Sequence, residues 1–351
     1  MSAPRYCTRE DVKSALDIKE TARNYAQIDR AIASASRFID GLCDRTFYPE
    51  LATKYFDWPS LVDRSVTVPW RLWLGQHEIV SVVSLTSGSV TIPATDYFLE
   101  PNGQGPPYDR IELDLSDSSS FGQGPGYQHD IALRAWFGFD DVTEVKGALS
   151  GTIGSTVTSI TVTDGTIGVW DLLTVDSEKM IVTGKSWTAT SDTVNSALTS
   201  SMADDAVLCD DGTAYTAGEV IALDSEKMLV VDILGNALVV KRAWDGSTLA
   251  AHSSGTEIYA KRTLAVSRAA VGTSAAGHLD GVAVSRQVYA EGVHSYCVAL
   301  ALDGLLQEQS GYSRQVGAGD NAREATGAGL KAVQMQVLNT YGRARSRIGV
   351  V

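Results

Sequence analysis

The sequence predicts an α+β fold: an N-terminal helical hairpin and C-terminal helices with a small antiparallel β domain, plus an inserted all-β domain. Three observations lead there. Apolar residues recur at helical spacing near both ends of the chain. Short β-branched runs bounded by Gly and Pro fill the stretch from Thr53 to Asp140. Asp-Ser-Glu-Lys-Met occurs twice, at Asp176–Met180 and Asp224–Met228, 48 positions apart, within Gly- and Thr-rich β-patterned sequence. A duplicated β module between helical ends reads as an insertion into a smaller fold. The expected segments are 1–52, 53–147, 148–260 and 261–351.

The hairpin opens at Thr8 and Asp11, whose spacing suits a capping box for a short helix ending near Leu16 or Ile18. A second start at Asn24 has Gln27 three residues on. From there Ile28, Ala31, Ile32, Ala35, Phe38, Ile39 and Leu42 share one face, and Asp29, Arg30, Ser34, Arg37 and Asp40 fill the other. Pro49 excludes continuation. Such a stripe is packed core first. Its length relative to its domain also predicts that Ile28, Ile32, Ala35, Phe38 and Ile39 meet a neighbouring copy.

Six short strands are expected next: Ser65–Val68, Glu78–Leu85, Ser89–Ile92, Tyr97–Glu100, Arg110–Leu115 and Asp130–Phe137. Pro69, Pro93, Pro101-Asn102-Gly103 and Gly105-Pro106-Pro107 punctuate them. The pattern fits a small antiparallel sheet or barrel.

Each copy of the repeat runs from Asp-Gly-Thr (164–166 and 211–213) through an apolar strand to the Asp-Ser-Glu-Lys-Met turn and a second strand. Gly235-Asn236 and Asp245-Gly246 add tight-turn signals. Asp176, Glu178, Asp224 and Glu226 are clustered carboxylates of the kind that suits calcium. The EF-hand spacing is absent, so the preferred expectation is solvated turns with Met180 and Met228 facing inward.

Towards the C-terminus, Val293, Tyr296, Cys297, Leu300, Leu305 and Leu306 mark a helical stretch closed by Ser310-Gly311. A Gly-, Ala- and Ser-rich loop spans Gly311 to Gly329. Leu330, Val333, Val337 and Tyr341 line a final helix, followed by Arg343, Arg345 and Arg347 at alternate positions. No acid follows Glu324. Residues 148–260 carry 15 acids and 5 bases, while the whole chain has a net charge of −13. An acidic insert repels nucleic acid, and a short basic tail suits an acidic partner or DNA phosphates.

No apolar run approaches the ~18 residues of a membrane span. The first residues lack the apolar core of a signal peptide. Cys7, Cys43, Cys209 and Cys297 have no paired spacing, so neither a disulfide framework nor a zinc site is expected. Gly-x-Ser-x-Gly, a phosphate loop and Gly-x-Gly-x-x-Gly are all missing. His77, His129, His252, His278 and His294 lack metal-ligand spacing. No catalytic residue, metal or cofactor is expected.

The order of features resembles the head–tail connector (adaptor) proteins of tailed double-stranded DNA bacteriophages. The matching stretches are Tyr6–Lys13, Ala35–Pro49, Ile79–Val82, Asp96–Pro101, Ile131–Gly138 and the C-terminal helical region. All lie outside the insert, and the stretch Leu238–His252 resembles β modules that recur in phage structural proteins. The resemblance implies a non-enzymatic ring, a dodecamer, beneath the portal in the virion neck, assembled in the host cytoplasm. Its partners would be itself, the portal protein, and a head-closure (stopper) or tail-terminator protein. Double-stranded DNA would pass through its lumen without sequence-specific binding, and no membrane is involved. Leu330, Val333, Val337, Tyr341, Arg343, Arg345 and Arg347 would contact the portal. The alternative expectation is a carbohydrate- or host-binding protein acting through its duplicated β module, with an unrecognised hydrolase third.

Overall fold

The computed structural model describes residues 3–16, 22–59, 68–103, 105–309, 315–316, 323–324 and 328–343. Among the described residues there are four helices: α1 (Arg9–Leu16), α2 (Ala22–Cys43), α3 (Glu291–Gln309) and α4 (Ala328–Tyr341). The capping box at α1 is present in both directions. The Asp11 amide donates to Thr8 Oγ1 at 3.1 Å, and the Thr8 amide donates to Asp11 Oδ2 at 2.8 Å. The chain divides into two compact units, one of residues 38–142 with 335–351 and the other of 1–37 with 143–334.

The smaller unit is built on seven strands: β1 (Glu50–Phe56), β2 (Arg71–Trp73), β3 (Ile79–Ser87), β4 (Val90–Ile92), β5 (Tyr97–Glu100), β6 (Arg110–Leu113) and β7 (Ile131–Phe137). They form two antiparallel sheets, β1-β7-β3-β4 and β2-β6-β5. In β7, Ile131, Leu133, Ala135 and Phe137 alternate inward, as period-2 patterning requires. They share one core with Leu72, Ile79, Leu85, Ile111 and Leu113. Two strands, β1 and β2, go beyond the expected set. The former begins directly after Pro49, and the latter is only three residues long. Residues 65–67 of the expected strand Ser65–Val68 lie outside the described residues.

The larger unit holds α1, α3 and one ten-stranded sheet. Its strands are β8 (Thr143–Ala148), β9 (Ser159–Thr161), β10 (Leu172–Val175), β11 (Glu178–Thr193), β12 (Ala206–Leu208), β13 (Val220–Leu223), β14 (Glu226–Leu234), β15 (Ala237–Lys241), β16 (Glu257–Ser267) and β17 (Ala283–Gln287). The order is β12-β15-β14-β13-β16-β11-β10-β17-β8, with β9 also pairing β16. A two-stranded pair, β18 (Gln315–Val316) and β19 (Arg323–Glu324), lies in the expected loop. The inserted β sequence therefore runs from Thr143 to Gln287, wider than the expected 148–260. The reason is pairing: β17 needs both β8 and β10 as neighbours.

The sheet carries two separate cores. Leu149, Ile160, Val162, Met180, Val182, Leu264, Val266 and Val284 belong to one. Val194, Val207, Ile221, Met228, Val230, Leu238, Val240 and Ile258 belong to the other. The first set flanks the second in sequence on both sides. The repeat is thus nested: the second copy sits inside the first, between β11 and β16.

Candidate functional site: a duplicated buried charge cluster

Each Asp-Ser-Glu-Lys-Met copy forms the turn of a hairpin, β10–β11 in the outer module and β13–β14 in the inner. Asp176 and Asp224 take left-handed φ values of 51° and 50°, a conformation Asp tolerates better than most residues. The following glutamates, Glu178 and Glu226, are fully buried. A buried carboxylate is costly unless every lone pair is satisfied.

The outer cluster satisfies Glu178 with five donors. Arg268 donates from Nε to Oε1 at 2.8 Å and from Nη2 to Oε2 at 2.6 Å. The Ala269 and Ala276 amides add bonds of 3.0 and 2.9 Å. His278 Nε2 lies 3.0 Å from Oε2, while its Nδ1 lies 2.7 Å from Asp176 Oδ2. The inner cluster repeats this atom for atom. Arg242 Nε and Nη2 both reach Glu226 at 2.8 Å, and the Ala243 and Ala250 amides both donate at 3.0 Å. His252 stands 2.9 Å from both Glu226 and Asp224. Arg268 Nη1 also donates to the Gly154 and Val157 carbonyls, and Arg242 Nη1 to those of Thr199 and Asp204. Each cluster ties a turn, an arch and a distant strand end together. Burial alone would raise the glutamate pKa values. The hydrogen bonds from arginine, backbone amides and histidine outweigh it and hold both at about 2.

These clusters correct the expectation of solvated turns. The methionines do face inward, with Met180 and Met228 fully buried. Asp176 and Asp224 are exposed (56% and 67%), but both glutamates face the interior. Their oxygens are occupied by arginine, histidine and amides, so calcium would have to displace an ion pair. The arginine half of the site escaped sequence reasoning, although a signal exists. Val266-Ser-Arg-Ala-Ala-Val-Gly-Thr-Ser-Ala-Ala-Gly-His278 aligns with Val240-Lys-Arg-Ala-Trp-Asp-Gly-Ser-Thr-Leu-Ala-Ala-His252, sharing Val, Arg, Ala, Gly, Ala and His. The offset there is 26, not 48, because the inner copy interrupts the outer.

The expected subunit-interface residues sit otherwise. Ile28, Ile32, Ala35 and Ile39 are buried within the chain itself, so they are core, and only Phe38 is open, at 48%. α2 meets α3 at Ser36, whose Oγ lies 3.4 Å from Cys297 Sγ, and on the polar face of α2 Arg30 pairs with Glu308 at 3.0 Å. Among the expected portal contacts, Val337 is 2% exposed, and Tyr341 packs edge-on against Phe47 and Phe139. Arg343 bonds the Gln76 and His77 carbonyls and stands 3.5 Å from Glu78. These three serve their own unit. Leu330 is half-buried and Val333 exposed; Arg345 and Arg347 lie outside the described residues.

A cavity of about 390 Å³ in the larger unit is lined by Arg9, Lys13, Tyr25, Lys185, Trp244 and Asp245. Lys13 pairs with Asp245 at 3.0 Å, and Lys185 donates to the Gly165 carbonyl at 2.8 Å. No helix among the described residues is long and apolar enough to cross a membrane. No family model, curated protein or solved structure matches this chain.

Proposed function

We propose that this chain is a structural head-to-tail adaptor of a tailed-phage virion, forming a ring of about a dozen copies below the portal, each using one heterologous interface. The ring would extend the DNA channel and join the head to the next neck or tail protein. One observation carries the reading. Of the six stretches that resemble adaptors, Ile79–Val82, Asp96–Pro101, Ile131–Gly138 and the greater part of Ala35–Pro49 fall in one compact unit of residues 38–142 and 335–351, while Tyr6–Lys13 and α3 belong to the other unit. The nested insert lies outside the first of these units. Both oxygens of Glu178 and of Glu226 are taken up by arginine, histidine and backbone amides, an arrangement that suits a mechanical role.

The rival reading, a carbohydrate- or host-binding module, rests on Tyr25 and Trp244 in the cavity. Sedimentation of the protein mixed with the portal of its own phage separates the two. Co-sedimentation at a fixed ratio is expected. Failure to associate at both low and moderate salt, together with retention on a glycan array, would favour the rival.

A further inference from the structure

Cys7 lies in the segment before α1, and Cys297 lies on α3. Their Sγ atoms are 3.4 Å apart, although 290 positions separate them in sequence. Both are buried free thiols, with Cys7 3% exposed and Cys297 fully covered. A disulfide would bring the two sulfurs from this contact to ~2.05 Å. Ser36 Oγ is 3.4 Å from Cys297 Sγ, and His294, one turn earlier on α3, pairs with Asp11 at 3.1 Å. A cavity of about 330 Å³, lined by Cys7, Thr8, Asp11 and His294, gives a small molecule access to Cys7. Cys43 and Cys209 have no sulfur neighbour among the described residues.

We propose that Cys7 and Cys297 form a dithiol site that a peroxide-class oxidant converts to an intramolecular disulfide, stapling the N-terminal segment to α3. Cys7 lines the cavity and Cys297 does not, so Cys7 is the sulfur that a peroxide meets. Its thiolate attacks one peroxide oxygen, the O–O bond breaks, and the leaving hydroxide takes a proton to become water. The Cys297 sulfur, 3.4 Å away, then attacks the sulfenic sulfur, the S–S bond forms, and the S–O bond breaks. The second hydroxide leaves with the Cys297 proton as water. In total, two thiols and one hydrogen peroxide give one disulfide and two waters. The link closes a loop holding the entire β insert, which constrains the unfolded chain. The inference stands apart from the adaptor reading.

The test treats the native full chain with hydrogen peroxide, then denatures it, blocks free thiols and maps non-reduced peptides by mass spectrometry. The expected result is loss of two of the four thiols. A peptide joining Cys7 to Cys297 appears, two hydrogens lighter than its parts, and vanishes on reduction. Thermal melting of the oxidised chain rises and returns with dithiothreitol. C7S and C297S each abolish the linked peptide. Retention of all four thiols, or linkage through Cys43, Cys209 or a second chain, overturns the proposal. Because the wild-type map is decisive alone, a variant that fails to fold does not obscure it.

Discussion

Arg242 is among the largest fully buried side chains, and it holds Glu226 with the Nε–Nη2 edge of its guanidinium. Removing it strands a buried carboxylate and three backbone carbonyls. R242A, and R268A in the outer module, should each lower unfolding free energy by about 3–5 kcal/mol. Urea denaturation reads this directly, and a loss under ~1 kcal/mol would mean that water replaces the guanidinium. The carboxylates also set a pH response of known sign. Glu178 and Glu226 sit at about 2 in the fold against 4.5 unperturbed, so their contribution is full above 4.5 and disappears as pH falls towards 2. Asp171 runs the opposite way: burial raises it to about 7 from 3.8, against the pull of Arg286. It favours the fold most below 3.8 and loses that contribution as pH rises through 7. D171N should therefore flatten the pH dependence of melting between these values. An unchanged profile would show that the carboxyl is already ionised at low pH. At this scale the sequence was legible only where partners are near in the chain. Thr8 and Asp11 lie three residues apart and their capping box was readable; Glu178 meets an arginine 90 residues on, and the turn alone suggests solvent.

Thr193 and Glu257 are paired neighbours at the neck of the inner module, and the Val194 amide donates to the Thr256 carbonyl at 2.9 Å. Excising 194–256 and closing the gap with Asn-Gly should turn β11 and β16 into one hairpin. None of the outer core residues, nor Asp176, Glu178, Arg268 or His278, lies in the excised segment. The shortened chain should keep a single cooperative thermal transition and its strand signal by circular dichroism. Loss of cooperative unfolding would show the inner copy to be part of the outer core. Cutting at 148–260 would instead remove β9 through β15 and sever β16, leaving β17 with only β8 beside it. The repeat was visible in Asp-Ser-Glu-Lys-Met, yet the nesting was not. One half of the outer copy follows the inner copy, so a single spacing cannot register both halves. The α2 stripe was legible as apolar, but periodicity does not say whether a face meets its own chain or another.

For the molecule as a whole, α+β architecture with a separate β insert follows from the helical periodicity of the ends and the turn-bounded strands between them. Assembly is the larger proposition, and the burial of Ile28, Ile32, Ala35 and Ile39 narrows where a neighbour can attach. Phe38 remains open. F38E should leave monomer stability within ~0.5 kcal/mol, as exposed substitutions usually do, while reducing ring formation on the portal. A variant that assembles as well as wild type would move the interface elsewhere. In the basic tail, R345A/R347A is a cleaner probe of portal docking than any change at Arg343, which holds carbonyls of its own unit. That double variant should weaken capture by the portal, more so as salt rises. Equal capture at both salts would assign the tail no docking role. The most direct measurement is electron microscopy of neck complexes from virions with this chain labelled. The adaptor account predicts a hollow ring of about a dozen copies beneath the portal, its lumen continuous with the DNA channel. A monomer, a trimer or a solid particle at that place would contradict it.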